Sequence, residues 1–248
     1  MTGLSLALTW TARQVPKEGC SAAECEDAFA ANELRGRFAV ADGASESADA
    51  GRWARMLVDG FVGVNSTSGI SWLREARSLW SASAGNESVP WYVEEKRSAG
   101  AFATLVTLAL GPPELEGAGR WQASAVGDSC LFRVRNGQLN KAFPYRDADD
   151  FSTRPALVGS RRGAGTADNV RKTSGTWQPA DRFFLMTDAL AQWFLRACAM
   201  DRQPWADLSV AVAAKPEVFT IWVGDRRADR SLRNDDVTLL IVEIAAAC

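Results

Sequence analysis

Residues 38–47 read FAVADGASES. Apolar and small residues run into Asp42 and Gly43, and the chain then turns polar. A strand of this composition is expected to be buried, and a carboxylate at its end costs free energy unless a cation or water meets it. The same ending recurs. Asp188 closes RFFLMTD, Asp235 and Asp236 directly precede VTLLIVEI, Asp128 interrupts the extended run AVGDSCLF, and Glu26 and Asp27 fall in ECEDAFA. Any one of these acids reads as a turn residue or a helix cap. Several of them at one sheet edge make an oxygen-rich cluster whose repulsion is relieved only by protons or hard cations. Oxygen ligation without histidine or cysteine suits Mg²⁺ or Mn²⁺.

The 248 residues are enough to bury a sizeable core, and 47% hydrophobic with 23% charged residues describes an ordinary globular chain. A formal charge of -2 gives no electrostatic case for nucleic acid or an anionic membrane. The start, MTGLSLALTWTAR, lacks the basic cluster and cleavage pattern of a secretory signal, and no apolar run is long enough to span a bilayer, so a cytoplasmic location is expected. Five scattered cysteines fit reduced thiols. The chain has no histidine. That excludes Ser-His-Asp and Cys-His hydrolysis and leaves Cys20 and Cys25 without the partners of a zinc site. Catalysis here must rest on carboxylates, cations, backbone or bound metal.

Downstream of FAVAD, Trp53, Leu57 and Phe61 mark one face of a helix that Ser45 or Ser47 is placed to cap. SWLREARSLWSAS puts Trp72, Leu73, Ala76, Leu79 and Trp80 on a second helical stripe, and PWYVEEKRSAGA reads as a third helix. AFATLVTLALG is a strand ending before Pro112 and Pro113, and Asn136-Gly137 marks a hairpin between CLFRVR and QLNKAF. Residues 144–177 are polar and without period, which suggests a flap; their Arg161 and Arg162 are candidates for a phosphate contact from that flap, against the preferred reading of a solvated basic loop. RFFLM is a strand, ALAQWFLRACAM and WADLSVAVAA are helices, and FTIWVG and VTLLIVEI are read as strands. Ten tryptophans offer a stacking surface for carbohydrate or bases, but several lie on helical stripes, and core packing is the preferred reading. Blocks of strands and helices with a hairpin predict one α+β domain, residues 1–248, with mostly antiparallel sheet; a parallel doubly wound fold is the runner-up.

The ordered set ECEDAFA, AVADGAS, GAFATLVTLAL, AVGDSCLFRVRNG, DRFFLMTDAL and NDDVTLLIVEI resembles the successive motifs of the 2C-type metal-dependent protein serine/threonine phosphatases (PPM), closer to bacterial members than to eukaryotic ones. It covers residues 20 to 244. The resemblance implies a four-layer α-β-β-α sandwich of two mostly antiparallel sheets flanked by helices, with a two-metal centre at one end. Asp42 would bridge two Mn²⁺ or Mg²⁺ ions, Glu26 and the Gly43 carbonyl would complete one site, and Asp188 and Asp235 the other. Asp128 with Asp188 matches a weaker third site. Asp27 and Asp236 would stand behind the ligands, Asp27 holding cation-bound water. Asp42 and Asp188 are thus the implied catalytic residues, and a water activated by the two metals would attack phosphoserine or phosphothreonine.

Three departures accompany the resemblance. The phosphate-binding arginine usual before the Glu-Asp pair is missing from KEGCSAAECED, where Cys20, Ser21 and Ala22 stand and Arg13 and Lys17 are the nearest cations. No residue is therefore assigned to substrate phosphate. The histidine that many relatives carry after DG is absent, and Ala189 replaces the usual glycine after Asp188, which a helix start accommodates. The implied function is a Mn²⁺- or Mg²⁺-dependent phosphoprotein phosphatase opposing a cognate Ser/Thr kinase. The rival is a pseudophosphatase that keeps the fold and serves as a binding or regulatory module.

Overall fold

The computed structural model describes residues 7–47, 49–63, 71–83, 100–114, 117–152, 154–161, 163 and 169–245. The described strands are β1 (Leu8–Val15), β2 (Ala28–Asn32), β3 (Arg37–Gly43), β4 (Phe102–Pro113), β5 (Gly119–Val126), β6 (Cys130–Arg135), β7 (Gln138–Phe143), β8 (Val158–Gly159), β9 (Arg171–Trp177), β10 (Arg182–Met186) and β11 (Val237–Ile244). The described helices are α1 (Ala50–Gly63), α2 (Ser71–Ser83), α3 (Asp188–Ala199), α4 (Pro204–Ala213) and α5 (Pro216–Ala228). One sheet has the order β1-β11-β10-β6-β7; the other runs β2-β3-β4-β5-β9, with β8 paired to β4. Every pairing among the described strands is antiparallel.

Three apolar clusters separate four layers. Between the sheets lie Phe38 and Val40 of β3, Val106 and Leu108 of β4, Phe183 and Leu185 of β10, and Leu240 and Val242 of β11. The outer face of the second sheet meets α1 and α2 through Ala39, Ala41, Trp53, Leu57 and Leu73. The outer face of the first meets α3, α4 and α5 through Phe184, Met186, Leu239, Phe194, Leu208 and Phe219. Successive residues of a strand point to opposite faces, so strands covered on both sides read as unbroken apolar runs. That double burial gives antiparallel strands the look of parallel ones in the sequence. The structure is the expected α-β-β-α sandwich, and the doubly wound alternative is set aside.

Local readings divide. Trp53 and Leu57 are fully buried, as their spacing predicts, and Asn136 and Gly137 both adopt positive φ (52° and 70°), as a two-residue hairpin requires. Trp53, Trp121 and Trp177 lie in the core, but Trp10 of β1 is 38% exposed, so not every tryptophan is a core residue. FTIWVG, expected as a strand, belongs to α5: Pro216 opens that helix, and Phe219 and Val223, four residues apart, are its buried positions. Neither serine caps α1. Ser47 instead donates to the Ala44 carbonyl and accepts from the Phe102 amide, while Ser45 donates to Glu26. Leu79, assigned to the apolar stripe of α2, is exposed. β4 continues through Pro112 to Pro113 after a register shift beyond Leu110. Residues 144–177 are not without structure, since they hold β8 and β9, the latter an edge strand whose one buried residue is Trp177. The third expected helix lies outside the described residues except for Gly100 and Ala101.

Before β10, Asp181 is fully buried and bound by Arg135 through two bonds of 2.7 Å, with a third from the Gln178 amide at 3.0 Å. Removing one partner of such a pair leaves a buried charge uncompensated. Asp181→Ala is expected to cost about 3 kcal/mol and to lower the Tm by about 6–12 °C at this chain length. Thermal denaturation followed by circular dichroism checks this, and an unchanged Tm would show that the pair contributes nothing.

Candidate metal centre

Phe38, Val40 and Asp42 lie on one face of β3, and that face fills the space between the sheets. Asp42 is therefore the point where the inner core gives way to an open cavity of about 820 Å³. Its walls include Asp42, Gly43, Asp128, Asp188 and Asp235. Both sheets contribute. Asp42 is next to last in β3 and Asp128 lies in the β5–β6 turn, whereas Asp188 follows β10 and Asp235 precedes β11. The buried strand ends on a carboxylate because its last inward position faces this shared cavity.

Glu26 stands beside the cavity wall. Its side chain accepts from Ser45 Oγ and lies 3.8 Å from Lys17 Nζ, and its carbonyl accepts from the Gly43 amide at 3.2 Å. A Cβ at Gly43 would fall 2.7 Å from the Ala50 carbonyl carbon and 2.9 Å from the Glu26 oxygen, so glycine is needed for close contact among β3, α1 and residue 26. Asp236 ties this region to β11: Oδ1 accepts from the Lys17 amide (2.7 Å) and Oδ2 from the Glu26 amide (2.9 Å). Asp27 is buried, with Oδ2 bound by Thr187 Oγ1 at 3.0 Å. Ala189 has no positive φ and lies in the first turn of α3, as expected for alanine there. Arg13 is directed away, to the carbonyls of Val212 and Ala214.

The electrostatics are those of negative charge in excess. Burial first, and then Asp27, Asp188, Asp128 and Asp235, hold the Asp42 carboxyl well above the ordinary range. Burial and then Asp188 push Asp128 up to about 7. Burial raises Asp27, against the nearby Thr238 hydroxyl and with help from Asp236, and burial also raises Asp188, against Arg233. Asp27 Oδ1 and Asp128 Oδ1 are buried without a partner among the described residues. Orphaned carboxylate oxygens in an all-oxygen set fit hard divalent cations. As the side chains stand, no three acids or cysteines among the described residues enclose an ion. Arg233, which the sequence reading missed, is one reason: its Nη2 donates to Asp188 Oδ2 and to Asp235 Oδ2, the latter at 3.1 Å. Arg154 is a second cavity-wall arginine missed in the sequence.

No family model matches the sequence, and no curated protein matches it significantly. Solved structures do match. The photosystem II phosphatase PBCP superposes with a TM-score of 0.63 at 18% identity, over 97% of this chain and 100% of that one. The Mycobacterium tuberculosis serine/threonine phosphatase PstP/Ppp gives 0.62 at 17% identity, over 96% and 99%. The chain has the PPM phosphatase fold. The catalytic domain of PstP in complex with two manganese ions, another structure with this fold, gives 0.58 at 18% identity, over 96% and 98%. Among the described residues of this PPM-fold chain, no helix is long and apolar enough to cross a membrane.

The raised carboxyls fix a sign for the metal-free protein. An acid whose folded-state pKa exceeds its unfolded value binds more protons when folded, so stability falls as pH rises from about 4 through about 7 for Asp128. Chelator-treated protein is expected to melt at least about 3 °C higher at pH 5 than at pH 8, roughly 1 kcal/mol at this length. Asp128→Asn should shrink the difference. A Tm that is flat or rises over this window would show that the acids do not repel one another as described.

Proposed function

We propose that the protein is a Mn²⁺- or Mg²⁺-dependent phosphatase of phosphoserine and phosphothreonine in proteins, a bacterial-type PPM enzyme. The observation that carries this reading is the gathering of Asp42, Asp128, Asp188 and Asp235 from four chain segments around one cavity of a PPM-fold sandwich. In this proposal Asp42, Glu26 and the Gly43 carbonyl would hold one cation, and Asp42, Asp188 and Asp235 would hold the other. Asp128 with Asp188 is assigned to a weaker third. When bound, the cations would supply positive charge to the phosphoryl oxygens and lower the pKa of a shared water.

The chain's own residues prepare that site. Thr187 fixes Asp27 through one hydrogen bond while accepting another from the Thr238 amide at 3.0 Å, which locks the end of β10 to β11. Asp236 holds the backbone on which Glu26 is carried. The Gly43 position allows β3 and α1 to close on residue 26, which keeps Glu26 near Asp42. With no histidine in the chain, protonation of the leaving serine or threonine oxygen falls to solvent. The open cavity suits a phosphorylated side chain presented by a protein surface, and a Ser/Thr kinase acting on the same substrate is the proposed counterpart.

Hydrolysis of an aryl phosphate is expected to require Mn²⁺, to stop in chelator, and to return when Mn²⁺ is restored. Asp42→Ala and Asp188→Ala should fall to the rate of buffer while remaining folded by circular dichroism. Background rates in all three proteins would overturn the proposal.

A further inference from the structure

Arg233 places a cation among the acids of the cavity. It is anchored at its base: Leu232 is buried, with its amide bound to the Arg226 carbonyl at 2.9 Å, and the Arg233 carbonyl accepts from the Asp235 amide at 3.0 Å. The head is different. Its side chain is 48% exposed and lines the cavity, and one nitrogen, Nη2, makes both contacts to the acids. The hydrogen bonds of the head to described residues both come from Nη2, and Arg154 lines the same cavity. A guanidinium presents several donors in one plane, and only one edge is in use here.

We propose that Arg233 is an exchangeable counter-cation. In the metal-free protein it neutralises Asp188 and Asp235, a divalent cation displaces it from them, and the freed guanidinium then binds the substrate phosphate. This rests on the metal-dependent phosphatase reading above. A doubly charged ion in direct contact with two carboxylates outcompetes a single, half-exposed guanidinium, because the Coulomb attraction scales with the product of the charges. Once released, the side chain stays at the cavity wall, since its backbone is held by Arg226 and by the turn to Asp235. A guanidinium there offers the paired donors a phosphate accepts best. It would fill the role left open by the missing arginine before Glu26. Arg13 is committed elsewhere, and Lys17 is beside Glu26.

Isothermal titration of chelator-stripped wild type, Arg233→Gln and Arg154→Gln with Mn²⁺ tests the exchange, and titration of the Mn²⁺-loaded proteins with inorganic phosphate tests the second role. Arg233→Gln is expected to bind Mn²⁺ at least about fivefold more tightly than wild type, a coupling of ordinary size between competing ligands. It should bind phosphate at least about fivefold more weakly, while Arg233→Lys falls between for both. Arg154→Gln should leave Mn²⁺ affinity unchanged. If wild type binds Mn²⁺ and hydrolyses aryl phosphate but Arg233→Gln matches it in either titration, this inference fails and the phosphatase reading stands. An equal gain in Mn²⁺ affinity from Arg154→Gln would also overturn it, because the effect would then be one of general charge. If wild type binds no Mn²⁺, both fall together.

Discussion

The structure turns on a surplus of negative charge kept at one end of a dry interior. The space between the sheets is filled by side chains such as Phe38, Val40, Phe183 and Leu240, and the same inward face ends in Asp42. Carboxylates from both sheets meet where that packing stops. Burial alone disfavours their charged forms, and mutual repulsion adds to it. A chain selected only for stability would have placed apolar or neutral groups there. The surrounding contacts limit the cost: Thr187 satisfies one oxygen of Asp27, backbone amides satisfy Asp236, and Arg233 engages Asp188 and Asp235.

Much of this was legible in the sequence, and the parts that were not have physical reasons. FAVAD, RFFLM and VTLLIVEI stood out because both faces of those strands are covered, so each is an apolar run with an acid at or next to one end. β2 was not seen as a strand, since AFAAN is short and alanine-rich. β9 was not seen because RKTSGTW packs only Trp177 inside. FTIWVG has the residue types of a strand, yet Pro216 starts a helix and the buried Phe219 and Val223 keep helical spacing. Tertiary packing overrode propensity there.

The site followed the same division. Each acid was visible as a strand-terminating carboxylate, while their common cavity became visible only in three dimensions. Arg233 left no signal beyond its place two residues before Asp235, for an arginine in a polar loop has an unremarkable sequence context. Its contact with Asp188 spans 45 positions. The need for glycine at position 43 has a cause that only the fold shows. The backbones of Ala50 and Glu26 leave no space for a Cβ, so steric closure of β3 on α1 suffices to require glycine.

The sheet margins have a separate consequence. An open sheet offers unpaired amides and carbonyls along its outermost strands, which invites lateral addition of another chain. Among the described strands the margins are β1 and β7 in one sheet and β2 and β9 in the other. β9 carries Arg171 and Lys172, β7 carries Lys141, and β1 carries Arg13. Positive side chains on three of the four borders make stacking of like border on like border electrostatically unfavourable. The arrangement disfavours fibrillar self-association of a protein whose inner strands, if exposed, would be strongly adhesive.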